Sequence, residues 1–312
     1  MARVVIDRRN TALEYATDCI IVRTQNEAPR SLPLKHLTQL VCMHNVVLST
    51  QLIGQLKRRG IDLVVLNQRY HQNSFALFAD ETLMLKRRCL QYELQKRADL
   101  RLPFIRAICR NKFSHIQRML NTHFAEHGQL TKHAFSALAN LALTEQQIRG
   151  VEGALQQQVF AVLRQTLSPA LGFTQRNRRP PRDPVNSILS LSYMMVHNAA
   201  VRQATAAGLD SRLGFYHRIA HARHSLACDM MEPVRPKVDA WTSQLFLEGI
   251  LHPRDFSTTA EGCFIGKSGR LRFYAAIEEQ LPDWERQLNA GYRWLTKKID
   301  AVAAQAGVML DD

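Results

Sequence analysis

No stretch of this sequence comes near the roughly 20 consecutive apolar residues that a membrane-spanning helix requires; runs such as Leu63 to Leu66 stop after a few positions. The N-terminal residues also lack the apolar core of a secretory signal, so neither a leader nor a membrane anchor is expected. CxxC pairs are missing too: Cys19, Cys42, Cys89, Cys109, Cys228 and Cys263 lie scattered along the chain. That spacing argues against a disulfide framework and a cysteine zinc site, and it suits a reducing cytoplasm. Fixed-period repeats and low-complexity tracts are absent as well, which speaks against a solenoid. Acid is in short supply, with 27 Asp and Glu against 41 Lys and Arg for a net charge of +14. An acidic polymer or surface is the partner such a balance favours, with DNA, RNA and anionic membrane all open on charge alone.

What is present suffices for one large or two ordinary domains, since 312 residues at 46% apolar composition can bury a proper core. Up to about Asp80 the apolar residues come in short β-branched clusters, Val4-Val5-Ile6, Ile20-Ile21-Val22, Val46-Val47-Leu48 and Leu63-Val64-Val65-Leu66, which read as strands. One helix interrupts them over Gln51 to Arg59, capped by Ser49 or Thr50 and ended by Gly60, with Leu52, Ile53 and Leu56 as its buried stripe. Beyond Asp80 the period lengthens to that of a helix, with Leu83, Leu90, Leu94 and Ala98 on one face, and the remainder reads as helical. The expected fold class is therefore α+β: a small β-rich N-terminal domain over residues 1–82, followed by a larger all-α domain over 83–312.

The segment Thr174 to Pro184, TQRNRRPPRDP, disfavours helix through its prolines and concentrates charge at Arg176, Arg178, Arg179 and Arg182, with a helix due near Asp183. Such a loop serves either as a solvated linker or as a phosphate contact. Upstream, Thr144 and Gln147 form a capping box for a helix carrying Ile148, Val151, Leu155 and Val159. Glu152 lies one residue past that stripe. A lone helical glutamate is ordinarily a solvated charge, so a chemical role for it needs partners elsewhere.

Those partners are offered by LGFYHRIAHARHSLACDMMEPVRP, which holds His217, His221, His224, Asp229 and Glu232 within sixteen residues. Ser225 can cap a helix on which Asp229 and Glu232, three apart, share a face. Hard oxygen ligands of that kind suit Mg²⁺ or Mn²⁺. A structural reading stands beside it: acids near a helix N-terminus complement the dipole, and Arg235 can pair with Glu232 or Asp239. A zinc pair at His217 and His221 is disfavoured, because Arg218 stands where the zincin motif needs glutamate. Gly214 further suggests a turn, leaving one functional histidine expected rather than three.

Four segments in order, VEGALQQQVF, RRPPRDPVNSILSLSYMM, LGFYH and SLACDMMEPVRPKVD, resemble the hallmarks of the Cas-one family of CRISPR-associated integrases. SLPLKHLTQLV and VVLSTQLIGQLKRRGIDLVVLN are similar to that family's β-rich dimerisation domain. The resemblance implies a DNA integrase and endonuclease that inserts short fragments into a repeat array by attack of a 3′ hydroxyl on a phosphodiester. It also implies a Mg²⁺ or Mn²⁺ ion held by Glu152, His217 and Glu232, with Asp229 as a supporting acid or alternate ligand. Two departures stand out: Gln156, Gln157 and Gln158 follow Glu152 where the family often has smaller or aromatic residues, and His221 and His224 are extra. Implied partners are double-stranded DNA, a second copy of the chain, and a smaller protein, Cas-two, bridging two dimers; Arg178, Arg182 and Arg223 are candidates for phosphate contact. Two alternatives remain: a phosphohydrolase for RNA or nucleotides that adds His221 or His224 as a metal ligand, and a non-catalytic basic DNA scaffold.

Overall fold

The β-branched clusters of the N-terminal part form strands as expected. The computed structural model describes residues 2–25, 27–66, 74–77, 85–178 and 180–307, so Leu83 and Arg179 lie outside the described residues. The chain divides into two units, Met1–Leu83 and Met84–Asp312.

In the first unit, β1 (Ala2–Ile6), β5 (Leu37–Cys42), β7 (Asp62–Val65) and β8 (Phe75–Leu77) form one sheet, in the order β1-β5-β7-β8. Its first three strands run parallel and β8 closes it antiparallel. A second sheet has the order β4-β3-β2-β6, from β2 (Thr11–Ala16), β3 (Cys19–Thr24), β4 (Arg30–Pro33) and β6 (Val46–Leu48). The β2–β3 hairpin turns at Thr17 and Asp18, both at positive φ, as a two-residue hairpin turn of the right twist requires. Helix α1 (Thr50–Arg58) is capped by Ser49, whose hydroxyl accepts from the Leu52 amide at 3.2 Å, and Gly60 follows at φ +68°. Leu52 and Leu56 enter the core with Leu13, Ile20, Leu40 and Leu63, while Ile53 stays half-buried.

The second unit is helical: α2 (Leu85–Lys96), α3 (Ala98–His123), α4 (Thr131–Ala139), α5 (Glu145–Thr166), α6 (Pro184–Ala206), α7 (Ser225–Met231), α8 (Arg235–Leu247) and α9 (Lys267–Gln305). The face expected to run on to Ala98 is broken: Arg97 adopts extended backbone, and Ala98 starts a new helix with its side chain exposed. A short antiparallel hairpin, β9 (Phe256–Thr259) and β10 (Gly262–Ile265), interrupts the helices. Helix α6 is apolar on all sides, from Ile188 and Leu189 to Ala199 and Ala200, and so occupies the middle, packed by α7, α8 and α9. Helix α3 packs on α4, α5 and α8, which brings residues far apart in sequence to one place. No described helix is long and apolar enough to cross a membrane.

Burial on these helices has a pH consequence. His197 on α6 and His115 on α3 are pushed down to about 4 by burial. An unfolded chain protonates its histidines near 6.5, whereas the folded one resists until about 4. Stability is therefore full above pH 6.5 and falls as pH drops toward 4. His197 accounts for on the order of 3 kcal/mol of this, and the more exposed His115 for less. Urea midpoints at pH 7, 5.5 and 4.5 measure the slope, which His197→Gln is expected to flatten.

Candidate active site

Thr144 caps α5 with a complete capping box, its hydroxyl taking the Gln147 amide while the Gln147 side chain takes the Thr144 amide. That start sets the helix phase: Ile148, Leu155 and Val159 are buried, and Glu152 turns beside them into a cavity of about 700 Å³. The opposite wall comes from α3. There Lys112 falls among Ile105, Ile108, Phe113 and Ile116, and its side chain is only 3% exposed. Its ammonium lies against Glu152 Oε1 and 2.6 Å from Glu232 Oε2, bridging the two carboxylates.

Between α6 and α7 the chain runs without helix, and Gly214 lets it press close to α7. A Cβ there would lie 2.8 Å from both the Asp229 carboxylate and the Ser225 backbone. Asp229, fully buried, gathers this loop: Oδ2 accepts from the Phe215 and Tyr216 amides at 2.6 and 2.9 Å, and Oδ1 from the His217 amide at 2.7 Å. The His217 ring places Nδ1 2.7 Å from Asp229 Oδ1. The Asp229 carboxylate only accepts, so Nδ1 donates in this contact, and Nε2 is the ring nitrogen turned away from Asp229. That nitrogen lies 3.6 Å from Glu232 Oε1. Phe104 stacks on Phe215 at 4.2 Å. Arg149 lies 4.5 Å over the Tyr216 ring and donates to the Tyr216 carbonyl, and the Tyr216 hydroxyl in turn donates to Glu152 Oε2 at 3.1 Å.

The expected cap on α7 is not Ser225. The N-cap is His224, without a side-chain bond, and the Ser225 hydroxyl instead donates to the Arg218 carbonyl, fastening the loop. Asp229 and Glu232 do share a side, both facing His217. His221 is exposed, and the His224 ring is occupied by Ser211 Oγ at 2.7 Å and the His197 ring; neither lines the cavity.

Electrostatics reinforce the geometry. Burial works against ionisation of Glu232, but Arg235, Lys112 and His217 outweigh it and hold its carboxyl far below the usual range. Burial likewise opposes the Lys112 charge, and Glu232 and Glu152 overcome it, so the ammonium is held above its ordinary pKa. Burial and the Glu152 charge push the Tyr216 phenol up, keeping it a donor. Arg235 Nε lies 2.9 Å from Glu232 Oε1, and its guanidinium sits 4.7 Å from the Tyr193 ring. Tyr193 donates to Asp239, which burial pushes above its ordinary pKa.

The basic loop is ordered from both sides. Asp183 caps α6 through the Asn186 amide at 2.8 Å, and Cys263 of β10 donates to the Pro181 carbonyl at 2.7 Å. Arg176 is spent on this framework, bonding Asn186 Oδ1 at 2.7 Å and Ser190 Oγ at 2.9 Å, and burial pushes its pKa down to about 10. Arg178 is exposed at the cavity mouth, whereas Arg182 and Arg223 do not line it. Arg164, unflagged by the sequence, joins Arg178 there, as do Gln156 and Gln157, noted above only as departures from the family.

The donor set suits a divalent cation on two counts. Two carboxylates, Glu232 buried and Glu152 part-buried, already gather around a positive charge, and a histidine that engages a carboxylate through one ring nitrogen presents the other, as metal-ligating histidines do. Among the described residues no three His, Cys, Asp or Glu side chains are closed into a ready-made metal cluster, because Lys112 stands between Glu152 and Glu232.

Fold and site together define a class: a two-unit α+β protein whose helical unit carries an acid-and-histidine centre under a cationic cavity. The model of the family described as CRISPR associated protein Cas1 matches residues 4–279, and the chain belongs to that family. A CRISPR-associated endonuclease Cas1 of Thermodesulfovibrio yellowstonii is 28% identical over 322 aligned positions, covering 97% of this chain and all of that protein. Among solved structures, a casposase bound to an integration product superposes with a TM-score of 0.85 at 18% identity, covering 96% of this chain and 91% of that one. A chain of a Cas6-RT-Cas1–Cas2 complex gives 0.75 at 20% identity over 96% of this chain and 35% of its own length. At these identities the structural likenesses speak for the fold.

Proposed function

We propose that the chain is a DNA integrase and endonuclease of CRISPR adaptation, in which Glu152, His217 and Glu232 hold a Mg²⁺ or Mn²⁺ ion. The observation that carries this reading is the His217 ring, fixed through Nδ1 by Asp229 and aimed through Nε2 at Glu232, beside Glu152 in a basic cavity. A divalent ion held there would supply polarisation of a phosphate oxygen and stabilisation of charge on the oxygens that attack and leave. In the joining reaction a 3′ hydroxyl forms a new P–O bond, the existing P–O3′ bond breaks, and the released 3′ oxygen takes a proton; with water as attacker the result is cleavage.

The chain's own residues do the rest. Asp229 orients the loop and the His217 ring, and is a positioning residue whose four acceptor contacts leave it poorly placed to be a ligand. Tyr216 holds Glu152, and Arg164 and Arg178 at the mouth supply the charge that draws the phosphate backbone in. Imidazole among oxygen donors favours tolerance of Mn²⁺. Family membership supports double-stranded DNA as substrate, dimerisation through the β-rich unit, and a bridging Cas2 partner of the kind named in the related complex.

The test incubates the protein, with and without its partner, with short duplex DNA and a supercoiled repeat plasmid in Mn²⁺, Mg²⁺ or EDTA. Joined or nicked plasmid is expected with metal only, and lost in His217→Ala. DNA binding with no strand transfer under any condition would leave a scaffold as the better account.

A further inference from the structure

Lys112 has no counterpart in the chemistry just described, yet it sits at the centre of the site. Its ammonium contacts both carboxylates proposed to bind metal, is almost wholly buried, and is carried by a rigid 26-residue helix. A divalent ion shared by Glu152 and Glu232 would meet that positive charge at contact range in a poorly screened interior, where like charges repel strongly. The two cations therefore compete for one pair of acids. Lysine, unlike arginine, has a flexible stem and a compact head, and Lys112 lines the 700 Å³ cavity into which that head can turn.

We infer that Lys112 is a displaceable counter-cation: it keeps Glu152 and Glu232 gathered while no metal is bound and must leave them when the ion enters. This rests on the proposed metal site. Without Lys112 the part-buried Glu152 would keep only the Tyr216 hydroxyl, and the buried Glu232 would keep Arg235 alone. The arrangement preforms the ligands, and it sets metal affinity below what the bare acids would give.

The experiment compares wild type with Lys112→Met by titrating Mn²⁺ into each without DNA, and by melting both in EDTA and in Mn²⁺. The variant is expected to bind Mn²⁺ about tenfold or more tightly, a factor typical of coupled sites. It is also expected to melt lower than wild type in EDTA and to recover more on adding Mn²⁺. A purely structural lysine would leave Mn²⁺ affinity unchanged and the variant equally destabilised in both solutions, which overturns the inference but leaves the metal site standing. Failure of both proteins to bind Mn²⁺ overturns the metal site and the inference with it. A second measurement needs no variant: acetylation by acetic anhydride, read by mass spectrometry on wild type. Lys112 is expected to be protected in EDTA and to gain reactivity severalfold at saturating Mn²⁺; unaltered protection refutes displacement.

Discussion

An Asp229→Asn protein is expected to melt well below wild type and to join no DNA in either metal. Asp229 is fully buried, and four N–H donors converge on its two oxygens: the amides of Phe215, Tyr216 and His217 and the His217 ring. Asparagine offers one acceptor oxygen and turns an NH₂ group toward donors, so at least one set of contacts becomes a clash of hydrogens. Breaking buried charge-assisted bonds of this kind costs about 3–5 kcal/mol. In a helical unit of this size that lowers the melting temperature by roughly 6–20 °C. Because the same contacts fix the His217 tautomer, activity goes with stability. Calorimetry and the plasmid assay on one preparation read both. A variant with normal melting that has lost only metal binding would make Asp229 a direct ligand instead.

Glu152→Gln should behave in the opposite way, with joining down on the order of a thousandfold and melting nearly untouched. Glutamine keeps the shape: its one carbonyl oxygen can still accept from Lys112, and its NH₂ group can donate to the Tyr216 hydroxyl once that hydroxyl turns its proton away, so the packing of α5 on α3 has no reason to change. What it removes is a charge. Glu152 and Glu232 stand against Lys112 and Arg235, and with one acid gone the site carries an excess of positive charge that disfavours a divalent cation. Wild-type joining rates in Glu152→Gln would exclude Glu152 as a ligand, whatever His217 does.

Local signals were the legible ones. Ser49, the Thr144–Gln147 box and the Asp183 start of α6 satisfy backbone donors within three residues of themselves, so a linear reading finds them. The β-branched clusters Val4 to Ile6 and Ile20 to Val22 likewise need only their neighbours. Lys112 escaped because its partners lie 40 and 120 positions away, although a lysine at helical spacing within the stripe of Ile105, Ile108 and Ile116 was a signal. The cap on α7 misled for a related reason: Ser225 looks like an N-cap locally, but the Arg218 carbonyl, folded back by the loop, claims its hydroxyl. By composition Arg176 is one more charge of a basic loop that could be linker or phosphate contact, and only tertiary structure shows its guanidinium committed to Asn186 and Ser190.

The span of the site along the chain has a consequence for biosynthesis. Lys112 on α3, Glu152 on α5, His217 in the loop and Glu232 after α7 come together only through contacts of long sequence separation. During N-to-C synthesis, every shorter chain lacks a carboxylate, the histidine or both, and closing such distant contacts is slow relative to helix formation. On the proposed reading, a chain released before residue 232 lacks Glu232, one of the three side chains assigned to the metal ion. On that reading the order of residues makes the capacity to break DNA a late acquisition of the growing polypeptide, completed only when α8 and α9 have followed Glu232 and packed on α6.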